Sequence, residues 1–132
     1  MKIFLLTITL TCLSLGVFAQ KKEKNKASLR HVVLFSFKST SSADDIKSVE
    51  AAFYGLYGKV PQIKDFEWGK NMSPEQLNQG FTHCFFITYH SLKDLNDYQE
   101  HPAHREFQKV LGPHMDKVLV IDYWVESTPK KK

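Results

Sequence analysis

Two stretches of this chain are apolar on both faces of an extended strand, and this limits the possible folds more than any other feature. The first is Arg30-His31-Val32-Val33-Leu34-Phe35-Ser36-Phe37-Lys38, a β-branched and aromatic run bounded by polar residues. At strand spacing Val33, Phe35 and Phe37 share one side, and Val32 and Leu34 take the other. The second is Phe81 to Tyr89, where Phe85 and Ile87 are backed by Cys84 and Phe86. Strands of this kind belong in the middle of a sheet covered on both faces, because an uncovered face would be an exposed apolar patch.

The segments around these strands predict what covers them. Ser41-Ser42-Ala43-Asp44-Asp45 offers an N-cap serine and acids in a first turn, and Ile46, Val49, Phe53 and Leu56 follow at helical spacing toward Gly58. Ile63 to Trp68 predicts a further strand, and Gly69 to Gly80 a loop. Ser91 caps a second helix through Leu92, Leu95 and Tyr98, which is interrupted at Pro102, resumes through Phe107, Val110 and Leu111, and stops at Gly112-Pro113. Val118 to Val125 is the last strand. The order is βαββαβ, the ferredoxin-like α+β arrangement, with the first and third strands central and both helices on one face of the sheet. The other face then calls for a second copy of the chain, and the expected state is a homodimer packed sheet to sheet through Val32, Leu34, Cys84 and Phe86.

The ends carry different information. Residues 1–19 combine Lys2, an apolar run from Ile3 to Val17 and the ending Val17-Phe18-Ala19, the three parts of a secretory signal peptide cut after Ala19. The run is too short and too rich in Thr and Ser for a membrane span, so no stable membrane insertion of the mature protein is expected. Lipidation at Cys12 is disfavoured, since Thr11 stands where a small residue is usual. The expected product is an exported protein, periplasmic or secreted, with a lysine-rich flexible segment at 20–28, one domain at 29–126 and a basic tail at 127–132.

The formal charge of +4 sits in those ends. Between Leu29 and Thr128 there are 10 basic and 13 acidic side chains, so the domain is mildly acidic and a nucleic-acid partner has no support. Cys84 is the one cysteine after Ala19, which excludes an intramolecular disulfide in the mature chain and reads as a packed small apolar residue.

Four segments in this order resemble the stress-responsive A/B barrel (Dabb) family: His31 to Lys38, Asp65-Phe66-Glu67-Trp68-Gly69-Lys70-Asn71, Gly80-Phe81-Thr82-His83, and Asp97-Tyr98-Gln99-Glu100-His101-Pro102-Ala103-His104. Tyr123 near the end of the last strand fits as well, and the resemblance runs from about Leu29 to Val125. It implies a dimeric α/β barrel. The family includes plant stress proteins without a clear reaction and a polyketide cyclase branch of the olivetolic acid cyclase type, in which a histidine base and an assisting tyrosine work in a pocket between sheet and helices. The matching positions are His104 and Tyr98 as catalytic residues, with His31 and His83 as further pocket, ligand-binding histidines.

A neutral imidazole can accept a proton near pH 7 and a tyrosine hydroxyl can hold a carbonyl or enolate oxygen, so such a set suits proton removal beside a carbonyl. Strand order is expected to make His31 and His83 neighbours at one end of the sheet, with Tyr98 and His104 opposite. The plainer reading is that His31 and His83 are hydrogen-bonded strand-end histidines, Tyr98 fills core space and His101 caps the helix break. Trp68 and Trp124 read as packing anchors, and His90 and His114 as solvated. No HExxH pattern or cysteine pair suggests a metal, and no cofactor is expected. Two functions follow. One is a binding module for a small apolar or aromatic ligand in a His/Tyr-lined pocket. The other is a cyclase or lyase with His104 as general base and Tyr98 assisting. Export weighs against the literal polyketide reaction, whose thioesters are cytoplasmic.

Overall fold

The computed structural model describes residues 28–126. The signal peptide expected at residues 1–19, most of the lysine-rich segment and the basic tail fall outside the described residues. Within them the order is β1 (Leu29–Phe37), α1 (Ala43–Tyr54) with a 3-10 turn at Gly55–Gly58, β2 (Asp65–Lys70), β3 (His83–Tyr89), α2 (Leu92–Glu100), α3 (Pro102–Leu111) and β4 (Met115–Trp124). The strands form one sheet in the order β2-β3-β1-β4 with every pairing antiparallel, so β1 and β3 are central as their two-faced sequence predicts. The domain is ferredoxin-like α+β.

Local chemistry sets the helix boundaries. Ser42 closes a capping box, its hydroxyl accepting from the Asp45 amide while the Asp45 carboxylate accepts from the Ser42 amide at 2.8 Å. Val49, Phe53 and Leu56 then bury against the sheet. Phe53 is the hub of the core, stacked on Phe107 with ring centroids 4.3 Å apart and packed on Phe85 at 4.5 Å. Losing a buried ring of this kind costs about 3–5 kcal/mol.

The second helix divides in two at His101, which is extended (φ −65°, ψ 136°) and serves both as the C-cap of α2 and the N-cap of α3. Pro102 excludes the α region for the residue before it and then stands comfortably as the first residue of α3. The Ala103 amide donates to His101 Nδ1 at 3.1 Å, which is the capping role expected of this histidine.

Other boundaries shift. Ile63 is buried in the core, but from a tight turn in which its amide donates to the Val60 carbonyl, so β2 starts at Asp65 and not at Ile63. β4 begins at Met115, three residues earlier than its apolar pattern suggests, and a register shift between Ser36 and Phe37 accommodates the extension. On β1 and β3 the inward residues are buried, whereas Val32, Leu34, Cys84 and Phe86 are half-buried on the face without helices. β4 is exposed on both faces, including Leu119 and Ile121, the register partners of Leu34 and Val32. Trp124 lies on that exposed strand, and Trp68 is stacked on Phe85 at 5.5 Å and 12°.

Candidate active site

A cavity of about 380 Å³ lies between the inner face of β1 and β4 and helix α3. Its polar end is formed by His31, Tyr98, Gln99 and His104, and Phe53, Phe107 and Met115 are among its apolar walls. β4 contributes Val118 and Val120. Three of the four residues singled out in the sequence therefore meet here.

His104 and Tyr98 are brought together by the break at His101, which swings the first turn of α3 over the last turn of α2. Their ring centroids are 4.4 Å apart. His104 Nδ1 donates to the Gln99 carbonyl at 3.1 Å; a carbonyl cannot donate, so Nδ1 carries the proton and Nε2 holds the lone pair of the neutral ring. Burial lowers the proton affinity of His104 below the usual histidine range, the Gln99 bond opposes that, and the nearby His31 lowers it further. At pH 7 this is a neutral imidazole with its basic nitrogen free.

Tyr98 is 1% exposed, and its ring lies 5.4 Å from that of Tyr89; the two buried hydroxyls influence each other's proton affinity without completing a well-formed hydrogen bond. Burial is the main cause that raises both phenols, so both stay protonated as donors. His31, 6% exposed, stands edge-on to both rings, 5.8 Å from Tyr98 and 6.3 Å from Tyr89. Its Nδ1 meets Asp122 Oδ1 of β4 at 2.7 Å, the two residues being direct register partners. Tyr89 and Asp122 carry no sequence signal of their own; only the pairing register shows that they belong with His31.

His83 does not join this group. β1 and β3 run antiparallel, so the start of β1 lies against the end of β3: His31 pairs with Ile87, and His83 with Phe35. Four residues of strand, roughly 13 Å at strand rise, separate the two histidines, and the expectation that they are neighbours fails on strand direction. His83 lines a separate cavity of about 390 Å³, with Leu34, Trp68 and Phe86 among its walls, and is held there by structural contacts. Its Nε2–H donates to the buried Glu50 at 2.9 Å, Thr82 Oγ lies 2.8 Å from Nδ1, and Phe37 meets the ring edge-on at 4.9 Å. Lys70 completes the cluster, 2.9 Å from the same Glu50 oxygen. Burial alone would raise Glu50, but the hydrogen bonds and charges of Lys70 and His83 outweigh it and hold the carboxyl below its usual range.

The remaining candidates are peripheral. His90 and His114 are half-buried: His90 Nδ1 is buried without a partner, and His114 Nδ1 lies 3.0 Å from the Ser41 hydroxyl. Burial first, then the Glu67 charge, pushes the Cys84 thiol up, which suits a packed, unreactive cysteine. Among the described residues no group of three or more His, Cys, Asp or Glu side chains could hold a metal ion, and no helix is long and apolar enough to cross a membrane.

Fold and cavity together define a ferredoxin-like α+β domain with one bare sheet face and a His/Tyr cavity between the other face and the split second helix. The chain belongs to the stress responsive A/B barrel domain family, whose sequence profile matches residues 29–125. It is 41% identical over 101 residues to the stress-response A/B barrel domain-containing protein HS1 of Arabidopsis thaliana, covering 76% of this chain and 93% of that protein. It is 29% identical over 104 residues to olivetolic acid cyclase of Cannabis sativa, covering 79% of this chain and 99% of the cyclase. Among solved structures, hydroxynitrile lyase from Passiflora edulis superposes with a TM-score of 0.73 at 30% identity, over 78% of this chain and 97% of the lyase. A dimeric ferredoxin-like protein from Jannaschia sp. CCS1 superposes with a TM-score of 0.66 at 25% identity, over 74% of this chain and 99% of that chain.

Proposed function

We propose that this is an exported, homodimeric A/B barrel protein that binds a small apolar or aromatic compound bearing an oxygen function in the cavity of His31, Tyr98 and His104. The observation that carries this reading is the facing pair of His104 and Tyr98, ring centroids 4.4 Å apart, at the polar end of a largely apolar cavity. The neutral His104 ring, with Nδ1 held by the Gln99 carbonyl, leaves Nε2 to accept from or meet a polar group of a ligand. The volume, about 380 Å³, suits a compound of one or two rings. Dimerisation is supported by the half-buried apolar face of β1 and β3 and by the dimeric relative. Export is supported by residues 1–19 alone, and the mass of the secreted chain is expected to start at Gln20; a retained Met1 would contradict it.

A second reading, catalysis, is favoured by the fixed tautomer of His104. With Nδ1–H held by Gln99, Nε2 can take a proton from carbon beside a carbonyl while Tyr98 donates to the oxygen on which charge develops. That the relatives include a cyclase and a lyase supports catalysis in this fold. Calorimetric titration with small aromatic ketones and aldehydes tests the site. His104→Ala is expected to weaken binding about tenfold or more with little change in melting temperature. Unchanged affinity together with a large loss of stability would mark His104 as a core residue and end the reading.

A further inference from the structure

The His104–Tyr98 pair leaves one polar wall of the cavity unexplained. Opposite it stands His31, whose hydrogen bond to Asp122 at 2.7 Å spans the β1–β4 pairing at a direct register position. An ionised carboxylate only accepts, so Asp122 fixes the proton of His31 on Nδ1 and leaves Nε2 as the free ring nitrogen. Among the described residues Nε2 has no protein partner, while the ring lines the cavity edge-on to Tyr98. In the charged ring Nε2 also carries a proton, and Asp122 is its counter-ion. The titratable groups around His31 are Asp122 from β4, Tyr89 from β3, Tyr98 from α2 and His104 from α3.

We propose that Asp122 is a positioning residue that makes His31 the acid partner of His104, so that the cavity handles two protons and takes ketones or aldehydes with an acidic hydrogen on the neighbouring carbon. The proposal rests on the reading of the cavity as a ligand site given above. In the step it implies, His104 Nε2 takes the proton from carbon, and the electron pair of that C–H bond becomes the new C=C bond. The carbonyl π pair moves to oxygen, which takes the Nε2 proton of the charged His31. The product is a neutral enol, with one ring protonated before and one after. Delivery of the proton from His104 back to carbon reverses both transfers. Tyr98 holds the oxygen throughout.

The probe is phenylacetone in D2O with the full chain. Proton NMR follows loss of its α-hydrogens, and nitrogen NMR of histidine-labelled protein reads the tautomers. Asp122→Asn places an amide beside Nδ1 that can donate as well as accept, so the Nδ1–H form is no longer imposed. Wild type is expected to speed α-exchange, and the variant to bind the probe within about threefold of wild type but exchange at least tenfold more slowly. The same variant should gain the Nε2–H form of His31. Asp122→Glu, which keeps the acceptor, should restore part of the rate. Binding without exchange in the wild type, or equal exchange in Asp122→Asn, overturns this proposal and leaves the ligand site standing. Absence of binding by wild type to phenylacetone and to the wider ketone and aldehyde series overturns both.

Discussion

The rings of Tyr98 and His104 face each other at 4.4 Å across a break in the helical layer, tilted by 40°. Neither an unbroken helix nor two unrelated ones would hold this arrangement. It depends on His101 leaving the α region ahead of Pro102 and then capping the helix that carries His104.

Replacing His101 by Ala removes that cap and should cost about 1 kcal/mol in urea unfolding. The greater effect should fall on ligand affinity, since the first turn of α3 would fray and His104 with it. A variant that loses stability and binds as before would show that the cap does not position the site.

His83 and Glu50 make a contrasting pair. His83→Ala leaves Glu50 buried with only Lys70 beside it and should cost about 2 kcal/mol, measured by chemical denaturation, while ligand binding is spared. The pH dependence has a definite sign. Glu50 is held below its usual value of 4.5 in the fold, so the unfolded chain takes up its proton first. Its contribution is complete above that value and disappears as pH falls through the lower folded value. Glu50→Gln should therefore flatten the acid limb of a stability–pH curve; an unchanged limb would contradict the assignment.

His104 acts at higher pH in the same sense. Its proton affinity is lowered from the usual 6.5 chiefly by burial, so the folded ring stays neutral somewhat below that pH. Binding or turnover that needs the neutral ring should persist to a midpoint below 6.5. Stability, by linkage, should fall as pH drops from 6.5 toward the folded value, and His104→Gln should abolish that part of the decline. A binding midpoint above 6.5 would mean that burial does not govern this ring.

The helix-free sheet face should hold two copies together. Val32, Leu34, Cys84 and Phe86 lie on it, and β4 adds Leu119 and Ile121 opposite Leu34 and Val32. Sedimentation at micromolar concentration is expected to give a dimer for the wild type, and Leu34→Asp, which places an unpaired charge in the contact, a monomer or an unfolded chain. A well-folded wild-type monomer would exclude this interface.

Much of the fold was legible because it rests on local chemistry. The two-faced runs at β1 and β3 implied central strands, Ser42 and Ser91 marked helix starts, and Pro102 marked the break. Tyr98, His104 and His31 were legible through their resemblance to the family. What was not legible depends on strand direction and register, which no single segment encodes. His83 was placed beside His31 because both lie near strand starts, whereas antiparallel pairing puts those starts at opposite ends. Asp122 and Tyr89 escaped for the same reason: an acid and a tyrosine in apolar strands mean little until the register sets them against His31. Ile63 looks like a strand residue in sequence because burial in a turn and burial in a strand leave the same pattern.

The most direct test of the ligand site is a titration of histidine-labelled protein with a small aromatic ketone, following the imidazole nitrogen signals. The cavity predicts that His31 and His104 shift together and saturably, while His83, held by Glu50 and Thr82 four strand residues away, stays where it is. Signals of His83 that move with the ligand while those of His104 do not would place binding elsewhere and contradict the account.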